Sequence, residues 1–294
     1  MTNALITGIT GMVGSHMLDF LVENTDWKIH GLIRWRSSIE NLSPHIKSIN
    51  NKKRIFLHYG DIREQHSTDN IIKEIKPDYV YHLAAQSYPK TSFDMPADTY
   101  ETNTIGTSNL LESLRRYKKN ALIHVCSSSE VYGRVKKENL PINENCQFHP
   151  ASPYAISKIG TDLVGRHFAE AYNMKIMTTR MFTHTGPRRS DFFAESSFAK
   201  QIAMIENETI PPKIKVGNLN YLRTIADVRD AVHAYYLLVT KNPISGEAYN
   251  IGGNYSCKVG DILNYLISIS NYKKKIQVVE DSSRLRKIDA DLQV

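Results

Sequence analysis

A phenol and an ammonium ion one helical turn apart can together move a proton to or from an alcohol. Tyr154 and Lys158 have that spacing within Ser152-Pro153-Tyr154-Ala155-Ile156-Ser157-Lys158, so a helix there puts both side chains on one face. A cation beside the phenol stabilises the phenolate and lowers a pKa that starts near ~10, as a general base working near neutral pH requires. Tyr-x-x-x-Lys spacing is common and marks nothing on its own. Here a glycine-rich turn and a Ser127-Ser128-Ser129-Glu130 cluster precede it, and that order gives it weight.

The glycine-rich turn is Gly8-Ile9-Thr10-Gly11-Met12-Val13-Gly14. It follows a short apolar strand, Ala4-Leu5-Ile6-Thr7, and leads into Val13, Met17, Leu18, Leu21 and Val22 at helical spacing. Gly8 permits the tight turn, Gly11 the close approach of a pyrophosphate, and Gly14 the approach of the helix to the sheet. Free N–H groups at the helix start, where Met12 and Val13 lie, face the phosphates. A second strand, residues 28–33, should end at the adenosine ribose. NAD-preferring sites usually place a carboxylate there, whereas this chain has Arg34-Trp35-Arg36-Ser37-Ser38 and no acid before Glu40. Guanidiniums and hydroxyls suit a 2′-phosphate, so the expected cofactor is NADP, held by Arg34, Arg36 and Ser37.

Alternating elements must position these groups. Further strands are expected at 54–59, 79–85, 121–126 and 175–181, and helices at 69–75, 96–117 and 153–172. That rhythm predicts an α/β fold with a doubly wound parallel sheet. After Phe182 it breaks into short pieces, as a smaller C-terminal substrate-binding lobe would. The expected division is an NADP-binding Rossmann domain at 1–182, with a later contribution from about 221–250, and a substrate lobe at 183–294.

The 294 residues carry a formal net charge of +7, but the lysines are dispersed. Arg115, Arg116, Lys118 and Lys119 fall at an expected helix end, where cations are favourable anyway. A solvated basic surface is the reading, with no nucleic-acid partner. Cys126, Cys146 and Cys257 are odd in number and scattered, which suggests reduced thiols, and no His/Cys cluster has metal-ligand spacing. No long apolar run or signal peptide is apparent, so no membrane association and a cytoplasmic location are expected.

Several blocks carry a more specific resemblance. They are the glycine turn, Gly60-Asp61-Ile62, His82-Leu83-Ala84-Ala85, Gln86-Ser87-Tyr88-Pro89-Lys90, Asn103, Ser127-Ser128-Ser129-Glu130-Val131-Tyr132-Gly133, Tyr154/Lys158, Gly186-Pro187-Arg188-Arg189, and Val216-Gly217-Asn218-Leu219 with Arg223. Together they resemble the extended short-chain dehydrogenase/reductase family, and within it the GDP-mannose 4,6-dehydratase group. Residues 126–130 and 188–191 are most similar to the branch acting on GDP-manno-heptose.

The resemblance implies a sequence of steps. A hydride leaves C4 of the sugar, the C5 proton becomes acidic beside the new ketone, water departs from C5 and C6, and the hydride returns to C6. It gives Tyr154 with Lys158 the C4 proton, Ser128 the orientation of the alcohol, and Glu130 the C5 proton. Asp61, Ile62, Leu83, Ala84, Ala85 and His184 fall to the cofactor. Ser87, Ser129, Arg188, Arg189, Asn218, Arg223 and Arg286 fall to a GDP-sugar, the arginines to its diphosphate. A homodimer or homotetramer is implied as well.

Ser129 stands where the dTDP-sugar dehydratases carry an aspartate that protonates the leaving hydroxyl. This points to the GDP branch and leaves the C6 acid open, with Glu130 able to serve as both base and acid. Thr183-His184-Thr185 and Arg223-Thr224-Ile225-Ala226-Asp227 depart from the dehydratase pattern, the latter toward 4-keto-sugar reductases. Lys287 replaces the proline usual after Arg286. Relatives continue beyond Val294, so a truncated chain is expected. Two further readings stay open: an NADP-dependent 4-keto-sugar reductase or epimerase, and a non-catalytic NADP-binding protein.

Overall fold

The computed structural model describes residues 1–241, 244–272 and 274–294. In chain order the first strands are β1 (Asn3–Thr7), β2 (Lys28–Ile33), β3 (Ile55–Tyr59), β4 (Tyr79–His82), β5 (Leu122–Cys126) and β6 (Lys175–Met181). After them come β7 (Thr183–Thr185), β8 (Lys213–Val216), β9 (Leu222–Asp227), β10 (Ala248–Ile251), β11 (Tyr255–Lys258), β12 (Gln277–Glu280) and β13 (Leu292–Gln293). The helices are α1 (Met12–Asn24), α2 (Ile46–Asn50), α3 (Gln65–Ile75), α4 (Pro89–Asp94), α5 (Pro96–Tyr100) and α6 (Gly106–Tyr117). They continue with α7 (Pro153–Tyr172), α8 (Ala194–Glu206), α9 (Val228–Thr240) and α10 (Val259–Ile269).

Seven strands form one parallel sheet in the order β10-β6-β5-β4-β1-β2-β3. The chain moves outward from β1 to β3, then returns to lay β4 on the other side of β1. This reversal opens a crevice beyond the C-terminal ends of β1 and β4, where doubly wound sheets hold ligands. Strand β1 shows how both faces are covered: Ala4 and Ile6 enter one core and Leu5 the other, the two-residue period of a pleated strand. Helices α1 and α9 cover one face through Met17, Leu18, Leu21, Val232 and Tyr235. Helices α3, α6 and α7 cover the other through Ile72, Leu110, Leu114 and Phe168. Full burial of each such side chain contributes about 1.5–3 kcal/mol.

The rest of the chain builds smaller sheets. Strands β11, β9 and β13 pair in that order with β7 also on β9, and β12 pairs with β8. A separate core of Phe198, Ile202, Ile214 and Leu263 ties α8, β8 and α10 together.

The strands expected at 28–33 and 175–181 and the helix at 153–172 lie on those residues. Other boundaries move for identifiable reasons. The strand expected to reach residue 85 stops at His82, because the Thr7 hydroxyl accepts from the N–H groups of Leu83 and Ala84, both at 3.1 Å. The single helix expected at 96–117 contains a wide π turn, Glu101–Ile105, inside which Asn103 is buried. Asn103 accepts from Gln86 N at 2.8 Å and donates to Gln86 O at 3.0 Å and Ser157 Oγ at 2.8 Å, tying the β4 loop to α7. Turns of this kind inside helices often mark functional sites. Residues 242 and 243, in the expected later contribution from 221–250, lie outside the described residues.

Two histidines buried in the sheet give the fold a pH signature. His82 bonds Thr7 and Thr107, and His124 bonds Thr179. Burial lowers both from 6.5 to about 3, so both are neutral in the native protein. An unfolded chain protonates them near 6.5, and the folded one does so only near 3. Unfolding free energy therefore falls as pH drops through that window, by up to tenfold in the folding constant per pH unit for each histidine. Chemical denaturation from pH 7 to 4 should show a slope about one proton smaller for His124→Gln than for wild type, and identical slopes would contradict this.

Candidate functional site

A cleft of about 1190 Å³ runs along the C-terminal edge of the seven-stranded sheet and continues between it and the smaller sheets. At its base is the glycine turn between β1 and α1. Gly8 has φ +71°, and a Cβ there would lie 2.8 Å from the Ala84 backbone. A Cβ on Gly14 would lie 2.2 Å from the Gly8 carbonyl. Side chains are excluded, so backbone can reach a ligand directly. Gly11 caps α1 without a side-chain bond, and Met12 and Val13, at the start of its first turn, line the cleft. This backbone cradle fits a dinucleotide pyrophosphate.

Arg34 and Ser37 line the cleft beyond β2, and Asp61 and Ile62 line it beyond β3. Arg63 clamps Asp61 with Nη2 at 2.7 Å and reaches Asp98 at 3.1 Å. Against the cost of burial, those hydrogen bonds hold the Asp61 carboxyl below the usual carboxylate range. Arg36 is placed differently from expectation. It does not line the cleft, and its guanidinium sits 5.4 Å from the centroid of the exposed Trp35 ring. One arginine of the expected pair is therefore at this end of the cleft, with Ser37 and Ser38 beside it.

Helix α7 starts at Ser152, whose hydroxyl accepts from Ala155 N at 3.0 Å, with Pro153 in the first turn. Its inner face carries Tyr154 and Lys158, both buried at the cleft wall. The Lys158 ammonium donates to the Cys126 carbonyl at 2.7 Å and lies 6.0 Å from the Tyr154 ring centroid. Burial pushes Tyr154 well above its ordinary value, with the Ser128 side chain acting in the opposite direction. Burial also lowers Lys158. The Lys158 ammonium thus satisfies a strand-end carbonyl at the edge of the phenol's pocket, and burial is what raises the phenol.

Ser128 caps the short turn Ser129–Val131 by accepting from Glu130 N at 3.2 Å. The turn aims Glu130 at the same cleft, where one carboxylate oxygen is buried without a hydrogen-bond partner among the described residues. Arg286 lies 3.7 Å from the other oxygen and donates to Asp289 at 2.9 Å. Buried Arg223 stands 3.9 Å from Asp289. Despite burial, Glu130 and Asp289 hold Arg286 above its ordinary value, whereas burial lowers Arg223.

Arg189 donates to the His184 carbonyl at 2.7 Å, packs 3.8 Å over the Phe193 ring and lies 3.7 Å from Glu195. Burial lowers the His184 imidazole to about 4, with Arg189 adding to the shift, so it is neutral. Arg188 is engaged by Asp19 of α1 at 2.7 Å. Leu83, Ala84, Ala85, Ser87, Ser129 and Asn218 complete the set of expected residues on the cleft wall.

Sequence reasoning missed Asp289, Tyr221, Arg63 and Glu195. Asp289 follows Arg286 by three residues, and Tyr221 sits two before Arg223, on the same side of an extended chain, so spacing could have flagged both. Arg63 offers only its nearness to Asp61. Glu195 gives no signal.

Residues 5–293 match the model of the GDP-mannose 4,6 dehydratase family, and the chain belongs to that family. It is 34% identical over 262 residues to GDP-mannose 4,6 dehydratase of Drosophila melanogaster, covering 87% of this chain and 65% of that protein. It is 30% identical over 285 residues to GDP-6-deoxy-D-mannose reductase of Pseudomonas aeruginosa, covering 97% of this chain and 84% of that protein. Among solved structures, RMD from Pseudomonas aeruginosa complexed with NADPH aligns with a TM-score of 0.82 at 27% identity, over 100% of this chain and 89% of that chain. The chain spans 63% of a Caenorhabditis elegans relative's length.

The geometry at the end of β2 makes a cofactor prediction. Arg34→Ala should weaken NADP at least about tenfold more than NAD, the size of one charge-assisted hydrogen bond, and Arg36→Ala should change both by less than about twofold. Fluorescence titration with the two cofactors measures this. Equal losses for Arg34→Ala, or a larger differential for Arg36→Ala, would contradict the placement.

Proposed function

We propose that this member of the GDP-mannose 4,6 dehydratase family is an NADP-dependent GDP-sugar 4,6-dehydratase. The substrate would be GDP-mannose or GDP-manno-heptose, and the products the 4-keto-6-deoxy sugar nucleotide and water. The observation that carries the reading is Glu130, a carboxylate with one oxygen buried and without a hydrogen-bond partner among the described residues, in the same cleft as Ser128 and Tyr154. Simple ketone reduction leaves such a group with nothing to do. Elimination beside a ketone needs a base for the proton on the neighbouring carbon.

NADP would lie on the Gly8–Gly14 turn, with Arg34 and Ser37 at the 2′-phosphate and Asp61 and Ile62 at the adenine. When bound in its oxidised form it supplies a hydride acceptor for C4, a positive charge beside the phenol, and the same hydride for C6. That charge lowers a phenol that burial alone holds protonated. Tyr154 takes the proton of the C4 hydroxyl while Ser128 fixes the oxygen. Lys158, held by the Cys126 carbonyl, supplies positive potential behind the phenol. Glu130 removes the C5 proton and passes it to the C6 hydroxyl, which departs as water. Glu130, then carrying the C5 proton, is the acid within reach of that role, because the Ser129 hydroxyl is far too weak an acid to protonate a leaving group. When C6 receives the hydride, C5 takes back one proton, equal to the one Tyr154 drew from the C4 hydroxyl, so both side chains return to their starting states. Arg189, Arg223 and Arg286 would neutralise the diphosphate.

Heptose specificity is supported by the likeness of residues 126–130 and 188–191 to that branch. The second reading is a 4-keto-sugar reductase, favoured by the match to the Pseudomonas reductase across 97% of this chain. A homodimer or homotetramer is proposed too, supported by the exposed apolar Ile105, Ile156 and Leu163 on the π turn and α7.

Two substitutions test the reading. Tyr154→Phe keeps the ring and removes the acid/base, so turnover should fall on the order of 10²–10⁴-fold with cofactor affinity preserved. Glu130→Gln should leave C4 oxidation intact and stall elimination, so that nicotinamide absorbance of reduced cofactor grows after GDP-mannose is added. Normal water loss in Glu130→Gln would sink the dehydratase assignment.

A further inference from the structure

Tyr154, Lys158 and Asp162 lie at successive intervals of four on α7 and therefore share its inner face. The first two reach the cleft; Asp162 does not. It is buried in a forked ion pair with Arg180 of β6, Nε to Oδ2 at 2.7 Å and Nη2 to Oδ1 at 3.2 Å, with Arg166 at 3.7 Å. Arg180 is 2% exposed. Its remaining nitrogen, Nη1, donates to the Tyr132 hydroxyl at 3.0 Å and to the Glu144 carbonyl at 2.9 Å. The Tyr132 hydroxyl in turn donates to Asn250 Oδ1 at 2.8 Å. Tyr132 follows Glu130 by two residues, at the end of the turn that presents Ser128 and Glu130 to the cleft.

A continuous run of polar contacts thus joins the helix bearing Tyr154 and Lys158 to the turn bearing Ser128 and Glu130. Buried ion pairs are weak contributors to stability, since apolar side chains of equal volume can serve as well. What a forked guanidinium contact provides is direction, because two parallel bonds fix both distance and angle. We infer that Tyr132, held by Arg180 and Asp162, is a positioning residue that sets the separation between the phenol on α7 and the carboxylate of Glu130. The inference rests on the dehydratase reading, in which both groups act on adjacent carbons of one sugar. A displacement near ~1 Å at such a site costs about 10²-fold in rate, whereas substrate affinity, spread over the arginines and the cofactor cleft, is insensitive to it.

Tyr132→Phe removes the hydroxyl and keeps the ring against Phe148 and the Arg180–Asp162 pair. Steady-state water loss from GDP-mannose should show kcat lower by at least about tenfold, with KM and NADP affinity within about twofold of wild type. A residue that only supports the fold would lower the melting temperature and leave kcat of the folded fraction unchanged, and that result would overturn the inference, as would a rise in KM alone. Should Tyr132→Phe not fold, Asn250→Ala keeps the phenol and its bond from Arg180 while removing the acceptor, and the same kcat-against-KM split decides. If wild type instead consumes NADPH to reduce the 4-keto-6-deoxy sugar nucleotide, the dehydratase reading falls and this inference with it, whatever Tyr132→Phe does. A wild type active on water loss with Tyr132→Phe at normal kcat overturns the positioning role alone.

Discussion

Helix α7 carries two charged side chains into the interior on one face, and much of the structure is organised around satisfying them. A buried ammonium or carboxylate without partners would cost several kcal/mol. Lys158 finds the Cys126 carbonyl at the end of β5, and Asp162 finds the guanidinium of Arg180 on β6. Two adjacent strands thereby set the helix at one register and one rotation. Ser157 receives a bond from Asn103, which adds a third attachment through the π turn and the loop after β4. With α7 fixed in this way, Tyr154 has one place to be, beside Ser128.

The two ends of the cleft use different physics. At the glycine turn, binding capacity comes from missing side chains: Cβ atoms at Gly8 and Gly14 would collide with backbone, and the helix start offers N–H groups. At the other end it comes from crowded charge. Arg189, Arg223 and Arg286 are all largely buried, and their counter-ions Glu195, Asp289 and Glu130 are too close in number to leave a strong net positive field. A dianionic diphosphate entering there would displace part of that internal pairing. Within the cluster, one Glu130 oxygen and Arg189 Nε are buried without a hydrogen-bond partner among the described residues.

Much of the fold was readable in the sequence because the parallel strands are continuous apolar runs and the helices between them repeat at helical spacing. The glycine turn was readable for a different reason: close backbone approach permits only glycine, so the residue type reports the geometry. Boundaries set by side chains distant in sequence were not readable. Thr7 ends β4 from 76 residues away, and Asn103 sits inside a π turn that no local pattern announces. In the site, the positions of Tyr154, Lys158, Ser128 and Glu130 along one cleft followed from strand ends and helix faces. The state of the phenol did not, because it depends on how deeply the fold buries the ring. Arg36 shows the same limit, since an exposed loop can turn a guanidinium onto a neighbouring Trp35 instead of into the cleft. Asp289 and Tyr221 were signalled only by their spacing from Arg286 and Arg223, whereas Glu195 carries no local signal at all.

The central claim is that one hydride leaves C4 and returns to C6 within a single active site, with Glu130 moving the C5 proton between. GDP-mannose deuterated at C4, incubated with the protein and a catalytic amount of NADP, tests it most directly. The account predicts a product lighter by one water, deuterium at C6 by NMR, and no net accumulation of reduced cofactor. Deuterium appearing in the free cofactor pool, or a sugar nucleotide that keeps all of its water, would contradict it.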